Sequence, residues 1–124
     1  MNDFSELREK QLQNNIPFSN NEWNIEYLYE YLVEVNYSHS KENIALKFFE
    51  QHLSDEELAK ILLVEFLLND DYDGSESQLG ATVILRKMER SALKANKDLV
   101  LLAQRNEIYW KRPCTEDDDL KWLT

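Results

Sequence analysis

Residues 54–69 read SDEELAKILLVEFLLN, and this stretch decides the fold. Ser54 followed by Glu57 is a capping box, in which each side chain satisfies a backbone N–H group of the first helical turn. Beyond the cap, apolar residues cover nearly the whole circumference of a helix, with only Lys60 and Glu65 between them. A helix that is apolar on all sides is buried. The stretch therefore predicts the central helix of a domain.

The composition of the chain favours helices. Its 124 residues include only two Gly and two Pro, which leaves little turn chemistry for hairpins, and no run alternates apolar and polar residues over the length of a strand. The 54–69 helix is also too short to span a bilayer. We predict an all-α, single-domain bundle over residues 1–124, with about six helices around the 54–69 helix.

The single cysteine, Cys114, excludes an internal disulfide and fits a reducing compartment. The first ten residues, MNDFSELREK, contain no apolar segment of the kind that directs secretion. These features predict a cytoplasmic protein.

Motifs for catalysis or cofactor binding are absent from the sequence. There is no zinc-protease HExxH pattern, no phosphate-cradling glycine loop, no nucleophile elbow and no cysteine pair. Neither His39 nor His52 has a glutamate three residues before it, which excludes the carboxylate-bridged di-iron pattern of helix bundles. We predict that the protein is not an enzyme and binds no cofactor or metal.

A second predicted helix, residues 20–36, begins at Asn20 or Asn21 and carries aromatic and acidic stripes. Trp23, Tyr27 and Tyr31 recur every four residues, opposite an aliphatic side that suits the core, and Glu30 and Glu34 lie beside the rings. One interpretation is that the rings pack on a first helix, predicted over residues 3–14, or on the C-terminal segment. The other is an exposed surface for a basic partner, because Tyr and Trp dominate interface hot spots.

The loop NDDYDGSES, residues 69–77, is a second acidic patch. It resembles part of a calcium loop, but Gly80 stands where that loop requires its bidentate glutamate. An acidic turn is the better interpretation, and its three aspartates around Tyr72 equally fit a second patch for a basic partner. The predicted partner-binding residues of helix and loop together are Trp23, Tyr27, Glu30, Tyr31, Glu34, Asp70, Asp71, Tyr72 and Asp73.

Charge is distributed unevenly along the chain, whose net charge is −10. Residues 1–85 contain five Lys or Arg and 17 Asp or Glu, whereas residues 86–112 contain eight and three. The long helix predicted from Ser75 to about Asn96 places a basic stripe over residues 86–97. That stripe has no interleaved aromatic residues, so nucleic-acid binding is the weaker interpretation, and pairing with the acidic helices of the same chain, or plain solvation, is the stronger one. The separation of charge would also let two copies pair as a homodimer.

In its short length, acidity, helical character and predicted exposed tyrosines and carboxylates, the chain is similar to the small helical immunity proteins with which bacteria block their own basic nuclease toxins. The resemblance lies in composition and architecture and transfers no residue role. It implies a module that binds a basic protein and occludes its substrate-binding surface, with carboxylates in place of phosphates. A self-associating structural or regulatory subunit is the alternative.

Overall fold

The computed structural model describes residues 3–37, 43–69, 71 and 75–105. Over these residues the chain is mostly helical, with one short hairpin, which confirms the all-α prediction. The elements are α1 (Asp3–Asn14), β1 (Phe18–Ser19), β2 (Glu22–Trp23), α2 (Ile25–Tyr37), α3 (Ile44–Glu50), α4 (Glu56–Ile61), a π-helical segment (Leu62–Leu67), α5 (Glu76–Lys87), α6 (Arg90–Lys94) and α7 (Lys97–Arg105).

The central helix begins one residue later than the sequence predicts. Asp55, not Ser54, is the N-cap, and its carboxylate accepts hydrogen bonds from the backbone N–H groups of Glu57 (2.9 Å) and Leu58 (3.1 Å). Aspartate caps a helix as well as serine does and also places its charge at the positive end of the dipole.

From Leu62 onward the central helix widens to π-helical hydrogen bonding, and the N–H of Leu68 reaches back five residues to the carbonyl of Leu63 at 2.8 Å. The segment supplies the middle of the core, but one side of it meets solvent at Val64, which is 39% exposed, and at Glu65, in line with the exposed Lys60 of α4. The prediction that this helix is buried on all sides is therefore wrong for one strip. Its fully buried residues are Leu58, Ala59, Leu62, Leu63 and Phe66.

Helices α2 and α5 pack closely against each other. Gly80 lies so near α2 that a Cβ atom placed on it would be 1.9 Å from the carbonyl oxygen of Leu32. Nearer the helix ends, Tyr37 contacts Glu76, so the two helices run antiparallel. Glycine is required here by the close approach of two backbones, and this contact fixes how α2 is oriented in the molecule.

Gln78, on α5, ties that helix to the end of the π-helical segment. Its buried side-chain amide donates to the carbonyl oxygens of Phe66 (2.9 Å) and Leu67 (3.4 Å). Ser75 is the N-cap of α5, as the sequence predicts, and its hydroxyl accepts from the N–H of Gln78. Carbonyls at the end of a helix need such a partner when they are buried.

The basic stripe predicted on one long helix is divided among three. Extended backbone at Met88 and Glu89 (ψ 152° and 143°) ends α5 and precedes α6. The N–H of Glu89 donates to the carbonyl of Leu53 at 2.9 Å, a bond to a distant segment that replaces a helical one. The exposed basic residues of the region are Arg86, Lys87, Arg90, Lys94 and Lys97.

A hairpin occupies the place where the sequence predicts the start of the second helix. Asn20 and Asn21 have φ angles of 53° and 63°, and they turn the chain so that Phe18 pairs with Trp23. Helix α2 begins only at Ile25, with the side chain of Asn24 accepting from the N–H of Tyr27 at 3.0 Å. Asparagine favours both helix caps and left-handed turn positions, and here the turn prevails.

No helix in the described ranges combines the length and the apolar character that a bilayer crossing requires.

Candidate functional site

Tyr31 lies in the core, so for this residue the interpretation as an exposed contact is wrong and the interpretation as packing against the first helix is correct. Its side chain is 2% exposed, and its hydroxyl donates to the carbonyl of Leu12 at 2.5 Å. Its ring meets those of Phe48 and Phe49 edge-on, at centroid distances of 5.1 and 6.4 Å. Burial raises the pKa of the Tyr31 phenol above its usual 10.0, so the hydroxyl keeps its proton and remains a donor.

Trp23 belongs to the hairpin and not to α2, so it shares no helical stripe with Tyr27. Its side chain is half-buried. Its ring packs against Phe18 (4.8 Å between centroids), His52 (5.2 Å) and Phe48 (5.9 Å). Of the two interpretations of the aromatic stripe, packing within the chain therefore holds for Tyr31 and for much of Trp23.

His52 sits at the edge of this aromatic cluster. Its ring lies 4.7 Å from that of Phe48, and burial lowers the pKa of His52 below its usual 6.5, while the Asp55 carboxylate acts in the opposite direction. The unfolded chain takes up this proton near pH 6.5 and the folded chain only at lower pH. The stabilising contribution of the neutral ring is thus complete above pH 6.5 and lost as the pH falls through the folded pKa.

We therefore expect the free energy of unfolding of the natural protein to fall, relative to that of His52→Phe, when the pH is lowered from about 7.5 to about 5. Phenylalanine fits the aromatic surroundings and does not titrate. Urea unfolding followed by circular dichroism measures both proteins, and His39, present in both, cancels in the difference. A difference that stays constant with pH would contradict the shifted pKa.

Glu30 and Glu34, one turn apart on α2, both bind the guanidinium of Arg8 from α1. Arg8 Nη2 lies 2.9 Å from Glu30 Oε2 and donates to the backbone carbonyl of Glu30 at 3.2 Å, while Nε lies 3.3 Å from Glu34 Oε2. Burial lowers the pKa of Arg8, but its hydrogen bonds to Glu30 and Glu34 outweigh that effect and raise the pKa. The guanidinium is therefore permanently charged.

The same side of α2 continues in both directions from this ion pair. Glu26 is exposed and Tyr27 half-buried on one side, and on the other Tyr37 is 68% exposed, where a hydrogen bond to Glu76 raises the pKa of its phenol. We call this surface the acidic face. Its residues are Glu26, Tyr27, Glu30, Glu34, Tyr37 and Glu76.

A groove of about 310 Å³ separates α1 from α2 beside the acidic face. Glu26, Tyr27 and Glu30 line one wall, and Gln11 and Asn15 are among the residues on the other. Arg8 also lines the groove and pairs with Glu30, so Glu26 and the ring of Tyr27 are the parts of this wall that a second cationic group with an apolar stem would meet.

The partner-binding residues predicted from the sequence include Tyr27, Glu30 and Glu34 but not Glu26, Tyr37 or Glu76 of the acidic face, nor Arg8, which binds it. Tyr37 was detectable, because it follows Glu30 and Glu34 at helical spacing. Arg8 and Glu76 come from other helices, and nothing in the local sequence indicates which surface they meet.

The predicted loop patch is only partly described. Asp71 is exposed, and its N–H donates to the side chain of Asn69 at 3.0 Å. Asp70, Tyr72 and Asp73 lie outside the described residues. The loop leads directly into Glu76, so Asp71 is near the acidic face in sequence. Among described residues, no group of three or more His, Cys, Asp or Glu is placed to hold a metal ion.

Comparison of the chain with protein-family models, with curated proteins and with solved structures found no match.

Proposed function

We propose that this protein binds a basic protein partner through the acidic face and thereby covers the partner's cationic surface. The observation that supports the proposal best is the binding of the Arg8 side chain by Glu30 and Glu34 of α2. Two carboxylates and a backbone carbonyl of α2 together accept a guanidinium at distances of 2.9 to 3.3 Å. A surface that orders an arginine of its own chain offers the donors of a basic partner the same acceptors.

Charge and aromatic groups give the proposed surface two separate roles. The net charge of −10 attracts a cationic partner over a distance and raises the rate of encounter. Tyr27 and Tyr37 then supply apolar contact area together with a polar hydroxyl, the combination that is enriched at interface hot spots. The carboxylates therefore determine which partner binds, and the tyrosine rings supply most of the affinity.

Within this class, an inhibitor of a basic nuclease toxin is the function that we favour. Such a nuclease binds phosphates with a cationic groove, and a row of carboxylates on one helix presents negative groups to that groove. Inhibition then needs no catalytic residue in this chain. The support consists of the acidity, the helical architecture and the spacing of the acidic face.

We expect Tyr27→Ala to weaken binding to such a partner by about 2 kcal/mol, and Glu26→Lys to weaken it chiefly by slowing association. Where a gene next to this one encodes a basic protein, that protein is the partner to test, with binding measured by calorimetry and stopped-flow mixing. Glu57→Lys, at an exposed position on α4, changes the net charge equally and is the matched control.

If Glu57→Lys slows association as much as Glu26→Lys does, the acidic face is not the docking surface. If the neighbouring basic protein does not bind at all, the toxin-inhibitor proposal fails.

Self-association is the second candidate, and the separation of charge favours it. The acidic face lies on α2 and α5, whereas the exposed basic residues lie from the end of α5 to the start of α7. One copy can therefore place its basic region on the acidic face of the next, an arrangement that salt weakens. Light scattering at low and high salt separates this candidate from binding of a different protein.

A further inference from the structure

Helix α1 is a polar helix attached to α2 at two levels, by the ion pairs of Arg8 and, nearer its C-terminal end, by the hydrogen bond from Tyr31 to the carbonyl of Leu12. Leu12 is its buried residue near the C-terminal end, whereas Leu7, one residue before Arg8, is 59% exposed. Around Leu7 and Arg8, the described contacts between α1 and α2 are the ion pairs and hydrogen bonds of Arg8. The attachment at Arg8 is thus polar and open to competition from another cation.

We propose that Arg8 is an internal stand-in for an arginine of the partner, which displaces it from Glu30 and Glu34 and releases the Arg8 end of α1 from the acidic face, while Leu12 stays in the core. This inference rests on the proposed function and adds the chemical group that is recognised and a means of regulation. In the absence of a partner, α1 keeps the carboxylates neutralised. In the complex, the partner's guanidinium takes over the same acceptors.

The geometry at Arg8 selects arginine over lysine. Three acceptors are engaged at once, with Nη2 placed between the side-chain and backbone oxygens of Glu30 and Nε placed on Glu34. A planar guanidinium spans such a set because its donors are spread over a rigid fork. An ammonium group concentrates its charge and its donors at one atom and cannot reach all three acceptors.

Competition from Arg8 lowers the apparent affinity of any arginine ligand. Because Arg8 is part of the same chain, it competes for Glu30 and Glu34 at an effective concentration in the millimolar range. The ligand binds only those molecules in which Arg8 has dissociated from the two carboxylates. Because the pair is partly exposed to solvent, the effect is modest, about three- to fivefold. The adjoining groove, about 310 Å³ in volume, gives the incoming side chain a path between α1 and α2.

The test is binding of a fluorescent nona-arginine peptide to the full chain at low salt, measured by anisotropy, with nona-lysine in parallel. We expect Arg8→Ala to bind nona-arginine about three- to fivefold more tightly than the natural protein and to gain less for nona-lysine. Lys10→Ala, on the same helix and exposed, removes one positive charge equally and is the control. It should change the affinity much less.

Equal tightening by Arg8→Ala and Lys10→Ala, or no tightening by Arg8→Ala, overturns the inference. The double variant Glu30→Gln/Glu34→Gln tests the proposed function separately. If it binds nona-arginine as well as the natural protein does, the acidic face is not the binding surface, and both proposals fail. If it binds less tightly while Arg8→Ala equals Lys10→Ala, only the role of Arg8 is lost.

Hydrogen exchange of the natural protein provides a measurement that does not depend on how the Arg8 variant folds. Adding nona-arginine should increase exchange of the α1 amides next to Arg8 while those of α5 stay protected, because displacement of Arg8 loosens that part of α1. Slower exchange of α1 in the presence of the peptide would overturn the inference, since it would mean that α1 is clamped rather than displaced.

Discussion

Gly80→Ala should destabilise the protein by about 3 kcal/mol or more, although alanine normally stabilises the interior of a helix by about 1 kcal/mol relative to glycine. The new Cβ atom would lie 1.9 Å from the backbone oxygen of Leu32. A backbone atom has no alternative rotamer, so α2 and α5 must move apart along their contact. That separation opens the core on both sides of the pair.

Chemical denaturation followed by circular dichroism measures this loss. Lys87→Ala is the control, because Lys87 is exposed near the end of the same helix and its replacement should change the free energy of unfolding by about 0.5 kcal/mol or less. A Gly80→Ala variant as stable as the natural protein would show that the two helices are farther apart than the structure places them.

The parts of the fold that could be predicted are those in which local pattern and tertiary packing agree. The 54–69 stretch forms a central helix because its apolar residues leave no other place for it than the core. Ser75 caps α5 because a serine hydroxyl satisfies the N–H of Gln78 whatever surrounds it.

The parts that could not be predicted depend on partners distant in sequence. Nothing in the residues around Met88 and Glu89 signals a helix end, since neither glycine nor proline is present there. The break depends on the hydrogen bond from Glu89 to Leu53, 36 residues earlier. In the same way, the local sequence of Asn20 and Asn21 suits a helix cap as well as a hairpin turn. The hairpin turn that forms is accompanied by packing of Trp23 on Phe48 and His52, which are distant in sequence.

In the candidate site, too, helical spacing predicted the features that lie within one helix but not those that depend on contacts with other helices. Spacing alone placed Glu30 and Glu34 on one side of a helix with Tyr27, and they do share the acidic face. Spacing could not reveal that Arg8 neutralises both, because this cation comes from another helix. It also placed Tyr31 one turn after Tyr27, but it could not reveal that α1 and α3 cover Tyr31 through Leu12, Phe48 and Phe49.

Tyr31→Ala should unfold the protein or destabilise it by about 3–5 kcal/mol, whereas Tyr27→Ala should cost about 1 kcal/mol or less. Removal of the Tyr31 ring leaves a cavity beside Phe48 and Phe49 and deprives the carbonyl of Leu12 of its donor. Tyr31→Phe isolates the second effect and should cost about 1–2 kcal/mol, because a buried acceptor is left without its partner.

Thermal and urea unfolding of these three variants measures the effects, and the comparison decides which tyrosine belongs to the surface. A partner-binding assay is meaningful for Tyr27→Ala, which keeps the fold, but for Tyr31→Ala a loss of binding would follow from unfolding alone. The reverse pattern, a stable Tyr31→Ala protein with weakened binding, would require the ring of Tyr31 to be on the outside of α2. In that case the hydrogen bond to Leu12 would be absent in solution, and the acidic face would have to be redrawn around Tyr31.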